Sequence, residues 1–155
     1  TQLLLKATCK QNVTSDTPNV VILNGLLEED MMNKIHDSAD CYVSFSHSEG
    51  VGMGAVEAAI RDKPVIITDY GGAKEYVKTP YTIECSLTPV GVNDFLYLKE
   101  QIWGQPNYDQ LKFFMKDAWE KKLRYMDHTY TKHLVSGESV MECLLQNLPQ
   151  SDVAL

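Results

Sequence analysis

No stretch of this 155-residue sequence approaches the roughly 18 consecutive apolar residues that a membrane-crossing helix requires, so no membrane span is expected. Basic residues are scarce: 14 Lys and Arg stand against 21 Asp and Glu, for a formal net charge of -7. Without a basic stripe to release counterions, a nucleic-acid partner is not expected, and an anionic membrane surface is disfavoured. The four cysteines, Cys9, Cys41, Cys85 and Cys143, form no C-x-x-C pair. His36, His47, His128 and His133 form no H-E-x-x-H, so no zinc site is expected. Cys41 lies in a strand-like run, and buried free thiols in a reducing, cytoplasmic compartment are the reading favoured over disulfides. No signal peptide, repeat or low-complexity segment is visible, and the sequon at Asn12-Val13-Thr14 has no secretory feature to support it. The chain begins at Thr1 without an initiator methionine, which suggests a piece of a longer protein.

What is present is concentrated between Cys41 and Glu75. At 44% hydrophobic the chain suits a globular domain with a sizeable core. Cys41 to Phe45 reads as a buried strand, Ser46 to Gly54 as a turn of glycine and small polar residues, and Ala55 to Asp62 as a short helix. Pro64 to Thr68 reads as a second buried strand, followed by a Gly71-Gly72 turn that opens another helix. A strand, crossover helix and strand imply a parallel sheet with right-handed connections.

Gly50, Gly52 and Gly54 free the backbone for positive φ and for close approach to a ligand. They precede a helix whose first amides lack internal partners, where the peptide dipoles concentrate positive charge. A phosphate or diphosphate is the natural guest. Glu57, leaning back toward the helix start, could accept hydrogen bonds from sugar hydroxyls, and Glu49 lies at the mouth of the same turn. The plainer alternative is a glycine turn with solvated glutamates, since such turns are common and this one lacks the full G-x-G-x-x-G spacing.

Ala39-Asp40, Ser46, Glu49-Gly50-Val51-Gly52, Glu57-Ala58, Pro64-Val65-Ile66 and Thr68-Asp69-Tyr70-Gly71-Gly72, with Glu75 three residues on, together resemble the donor-binding half of GT-B glycosyltransferases. The resemblance is to the retaining enzymes of glycosyltransferase family 4, through their Glu, seven residues, Glu arrangement. It implies an α/β fold, a doubly wound, Rossmann-like and mostly parallel sheet with helices on both faces, forming the C-terminal half of such an enzyme. It further implies a nucleotide-diphosphate sugar as substrate, Glu57 on the donor ribose, the amides of Gly50, Val51, Gly52 and Met53 on the diphosphate and sugar, and Glu49 near the transferred sugar as catalytic candidate. Gly25, Leu26, Ser46, Gly71 and Gly72 are secondary candidates; for Gly25 and Leu26 a simple strand-to-helix turn is the alternative to a place near the base. No cofactor is expected besides the sugar nucleotide as substrate, and no metal, because the D-x-D by which the other glycosyltransferase fold holds one does not occur. Residues 1–150 would be the donor-binding domain, short of its first strand and helix, with 151–155 a frayed tail. The acceptor-binding domain would be a missing N-terminal partner and the piece alone inactive. A non-catalytic nucleotide-binding or interaction module is the alternative. Phe45, Val51 and Met53-Gly54 depart from the family's usual proline, aromatic and Leu-Pro at those places.

Elsewhere, Leu3 to Leu5 and Val20 to Leu23 read as strands, the former buried, with a loop at Asn12 to Asn19. Glu28-Glu29-Asp30 opens a helix whose Met31, Met32, Ile35 and Ala39 share a face. Glu75 is either a helix-start acid or a ligand contact, and Lys74 either solvated or a phosphate neighbour. Thr79 to Gln105 is irregular apart from a short strand at Thr82 to Cys85; Trp103 is expected to pack. Asp109 to Met126 reads as the clearest helix, with Leu111, Phe114, Met115, Ala118, Trp119 and Leu123 as its apolar stripe. A last helix follows Ser136 and carries Val140, Met141, Leu144, Leu145 and Leu148, a face expected to be partly orphaned.

Overall fold

The computed structural model describes residues 2–8, 11–93, 96–124 and 126–148. Cys9 and the tail at 151–155 lie outside the described residues. The chain divides into two compact units, Thr1–Ser38 and Ala39–Leu155.

The first unit contains strands β1 (Leu3–Ala7) and β2 (Val20–Asn24), paired parallel from Leu3 opposite Val20 to Ala7 opposite Asn24, and helix α1 (Glu29–Ser38). The long connection between the strands is pinned by Asn24, whose Oδ1 accepts from the Val13 N–H at 2.8 Å while its Nδ2 donates to the Val13 carbonyl at 2.9 Å. Gly25 follows at φ 93°, a left-handed turn that glycine adopts without strain, and donates its N–H to Ala7 O. Glu29 and Asp30 occupy the first turn of α1, where acids oppose the dipole. The expected burial of the first strand does not hold: Leu4 and Leu5 are 40% and 38% exposed. Apolar residues make the strand, but nothing in the run itself supplies a covering layer.

The second unit is built on β3 (Tyr42–Val43), β4 (Val65–Thr68) and β5 (Thr82–Ile83), which lie parallel in the order β3-β4-β5. Helix α2 (Met53–Ala59) crosses between β3 and β4, and α3 (Ala73–Tyr76) between β4 and β5. All four β4 residues are buried, and their alternation assigns them to two layers. Val65 and Ile67 pack with Ala55, Val56, Ala58, Ala59, Ala73 and Val77. Ile66 packs on the opposite side with Ile83 and Leu111, against which Phe114, Met115 and Ala118 of α4 (Tyr108–Trp119) lie. Within this unit, therefore, the parallel strands pack with α2 and α3 through one cluster and with α4 through another.

Several boundaries differ from those expected. The strand at Cys41 to Phe45 shortens to Tyr42–Val43, although Ser44 N–H still bonds Ile66 O at 2.9 Å. The helix expected at Ala55 to Asp62 starts earlier, at Met53, and ends at Ala59. Gly52 at φ 70° turns the chain into it and Asp62 at φ 58° turns it out. The helix expected through Met126 stops at Trp119, closed by a left-handed Lys121 at φ 54°, and Trp119 is 54% exposed rather than part of the core. The segment read as irregular holds an antiparallel pair, β6 (Cys85–Pro89) and β7 (Ile102–Pro106), with Cys85 opposite Pro106. Helix α5 (Thr129–Leu134) was not foreseen. It is fastened by polar contacts, Thr131 Oγ1 donating to Tyr76 O at 2.7 Å and the buried His128 Nε2 lying 3.0 Å from Lys63 O. Helix α6 (Gly137–Asn147) is capped by the Ser136 hydroxyl, which accepts from Ser139 N–H, and Val140, Met141, Leu144 and Leu145 on it and Leu148 after it are all exposed.

Candidate functional site

The chain leaves β3 and β4 at their carboxyl ends into two glycine turns, the edge at which open α/β sheets hold ligands. The turns touch backbone to backbone. Gly72 N–H donates to Glu49 O at 2.8 Å. A side chain on Gly72 would overlap Gly50 O, and one on Gly71, at φ 79°, would come within 2.7 Å of Glu49 O. Gly71 and Gly72, secondary candidates for the site, form the bed on which Glu49 and Gly50 rest. Gly52 is equally constrained, since a Cβ there would lie 2.7 Å from that of Ala73. Val51 turns its side chain onto the core, whereas Gly50 and Met53 are exposed. Among the described residues, the N–H groups of Gly50 to Gly54 donate to no backbone carbonyl; the first such bond in the turn is Ala55 N–H to Gly52 O.

A cleft of about 490 Å³ opens beside this turn, lined by Tyr42, Ser44, Glu49, Gly52, Gly54 and Ala73 among others. Ser46 Oγ donates to Glu49 Oε1 at 2.8 Å, and Ser44 Oγ lies 3.1 Å from Ser46 Oγ. Ser46 thus orients the candidate catalytic carboxylate. Glu57 does not line the cleft, and its charge acts on Tyr42, which does. Burial, then the charge of Glu49, then that of Glu57, raises the Tyr42 hydroxyl above its ordinary pKa and keeps it a protonated donor near both carboxylates. Tyr42 was missed in the sequence because it sits in a strand pattern; Gly54, whose added Cβ would overlap the Tyr42 hydroxyl, was the one trace of it.

Behind the turn, His47 is clasped by β7. Gly104 N–H donates to His47 O at 3.0 Å, His47 Nδ1 lies 3.1 Å from Gly104 O, and Trp103 stacks on the imidazole at 4.3 Å. The expected packing of Trp103 is thereby met, on a partner the sequence did not name. Lys74 is engaged by Asp69 at 2.7 Å, and that hydrogen bond and charge raise its pKa; Glu75 is exposed in the first turn of α3. Gly25 and Leu26 belong to the first unit, Leu26 being 87% exposed. Among the described residues no three His, Cys, Asp or Glu side chains gather as metal ligands, and no helix is long and apolar enough to cross a membrane.

Residues 14–85 match the family model for glycosyl transferases group 1, a span that takes in both glycine turns, Glu49 and Glu57. No curated protein matches the chain.

Proposed function

We propose that this chain is the donor-binding half of a retaining GT-B glycosyltransferase of family 4, with its strands forming part of a doubly wound sheet, and that the cleft beside Gly50 to Gly54 receives a nucleotide-diphosphate sugar. One observation carries the reading: N–H groups of a glycine turn that donate to no backbone carbonyl among the described residues border a cleft lined by Glu49, which Ser46 holds, within the span matched by the glycosyl transferase family. The turn amides of Gly50, Val51, Gly52 and Met53 meet the diphosphate, whose charge they are suited to accept. Glu57 takes the ribose hydroxyls. Glu49 stands near the anomeric carbon of the transferred sugar.

Transfer to an acceptor hydroxyl would then rest on positioning and on the same amides stabilising the departing diphosphate, with no metal assigned a part. The exposed apolar residues of α6 fit a role against an acceptor-binding partner domain, and the 155-residue chain by itself binds its ligand weakly and transfers nothing.

The experiment is a titration of the chain with uridine, guanosine and adenosine diphosphates and their glucose conjugates, following the amide resonances of Gly50 to Gly54. One nucleotide should move those resonances, and Glu57→Ala should weaken it about tenfold, the loss of one charge-assisted hydrogen bond. Resonances that stay still with all three nucleotides would refute the reading.

A further inference from the structure

Thr68 ends β4 beneath the Glu49 turn. It is 4% exposed, and its Oγ1 has no hydrogen-bond partner among the described residues. Buried hydroxyls are ordinarily paired, so an orphan beside a candidate site requires an account. Thr68 lines a small void of about 10 Å³ together with Ser44, Ser46, Glu49 and Tyr70. That is about the space of one water centre, and the walls carry enough oxygen atoms to hold it.

The direction of the neighbouring hydrogen bonds follows from counting protons. A serine hydroxyl has one hydrogen. Ser46 commits its own to Glu49 Oε1, so the 3.1 Å contact between the serines must run from Ser44 to Ser46. Ser44 Oγ is then left as an acceptor. Thr68 Oγ1 has a proton to give and no direct recipient.

We infer that a single water joins Thr68 Oγ1 to Ser44 Oγ, and that Thr68 is the far end of a hydroxyl relay, Thr68 to water to Ser44 to Ser46 to Glu49, which orients the Glu49 carboxylate. The relay gives each of the three hydroxyl protons one destination and uses one of the water's two hydrogens on Ser44. It prevents the Ser46 hydroxyl from rotating off Glu49 to donate to Ser44 instead. In a turn whose neighbours are glycines, few side chains are present to lock the carboxylate by packing, so hydrogen-bond direction is the means available. Thr68 is a positioning residue in this scheme and touches no ligand. Its effect on ligand binding rests on the function proposed above; the relay itself concerns only atoms of this chain.

The test uses the 155-residue chain with Thr68→Val, which keeps the shape and the β-branch that suit a strand, and Thr68→Ser, which keeps the hydroxyl. Crystal structures of the three proteins should show a water within hydrogen-bond distance of Thr68 Oγ1 and Ser44 Oγ in the unmodified chain. Thr68→Val should lose it, with Glu49 spread over several rotamers, and Thr68→Ser should restore both. For whichever nucleotide binds, Thr68→Val should weaken the glucose conjugate about five- to tenfold, as for one lost hydrogen bond, and the bare diphosphate by less than about twofold, with recovery in Thr68→Ser. A dry site in the unmodified chain, a Glu49 that keeps its Ser46 bond in Thr68→Val, or equal weakening of both ligands would overturn the inference. If no nucleotide binds the unmodified chain, the proposed function fails, and the crystal structures alone decide the relay.

Discussion

Gly54 and Tyr42 are coupled by a single overlap. A Cβ on Gly54 would run into the Tyr42 hydroxyl and come within 2.9 Å of the ring carbon that bears it. Gly54→Ala should therefore destabilise the chain by about 1 kcal/mol, because the cost of overpacking exceeds the helix-propensity gain of about 1 kcal/mol. With Tyr42→Phe the closest overlap disappears and the same change should become about neutral, a coupling of about 1 kcal/mol in a denaturant double-mutant cycle. Additive single effects would show that the two side chains do not meet. The neighbouring Cys41 makes a pH prediction. Burial, and after it the charge of Asp40, pushes its thiol from 9.0 up to about 12. The folded chain keeps a proton that the unfolded chain releases, so this contribution is whole below pH 9 and is lost as pH rises toward 12. By pH 10 the loss should be about 1.4 kcal/mol, growing by a similar amount per pH unit until the folded thiol titrates. Urea denaturation from pH 8 to 10 should show a shallower decline for Cys41→Ala than for the unmodified chain, and parallel declines would place the titration elsewhere.

At the level of elements, the glycine turn is held from behind by a strand far away in sequence. Trp103 on β7 stacks on His47 while Gly104 exchanges two polar contacts with the same residue. Trp103→Ala should lower stability by about 2 kcal/mol, below the usual cost for a fully buried tryptophan because this one is only partly buried. Hydrogen exchange at Gly104 should quicken with it, and nucleotide-induced shifts at Gly50 to Gly54 should broaden. Unchanged exchange at Gly104 would mean that β7 does not brace the turn. This contact also explains what the sequence conveyed and what it withheld. The strand at Val65–Thr68 was legible because a fully buried parallel strand reads as an unbroken apolar run, and the Gly71-Gly72 turn because paired glycines mark a close approach. Ser46, Glu49 and the glycines come together within 27 positions, so local spacing could reveal them. Tyr42 and Thr68 could not be read as site residues, since each occupies an ordinary strand position and gains its meaning from neighbours on another element. The β6–β7 pair escaped for a related reason: Pro89, Gly91, Gly104 and Pro106 punctuate it like a loop, and its pairing is antiparallel in an otherwise parallel unit. The end of α4 was missed because a left-handed lysine, with no glycine or proline to announce it, breaks the helix while Leu123 continues the apolar stripe.

For the whole molecule the governing quantity is charge. At -7 the chain repels a nucleotide diphosphate at long range, while in the function proposed above the turn amides attract it at short range. Salt weakens both effects within a Debye length of about 8 Å at physiological ionic strength, and the two changes oppose one another. Affinity for a nucleotide diphosphate should accordingly be nearly flat in salt, changing less than about threefold between roughly 50 and 200 mM. A protein that grips phosphates with lysine and arginine behaves otherwise and loses about 10³ or more in affinity over that range when it makes many such contacts. Lys74, two positions beyond the paired glycines, is already joined to Asp69, so it contributes a neutral pair there rather than a free cation. Isothermal titration at several salt concentrations decides the matter. A steep fall in affinity would mean that cations bind the phosphates, and the backbone of the glycine turn would lose its assigned part. A flat profile that becomes steep in Asp69→Asn, where Lys74 is released, would show that it is the ion pair that keeps this lysine out of the binding.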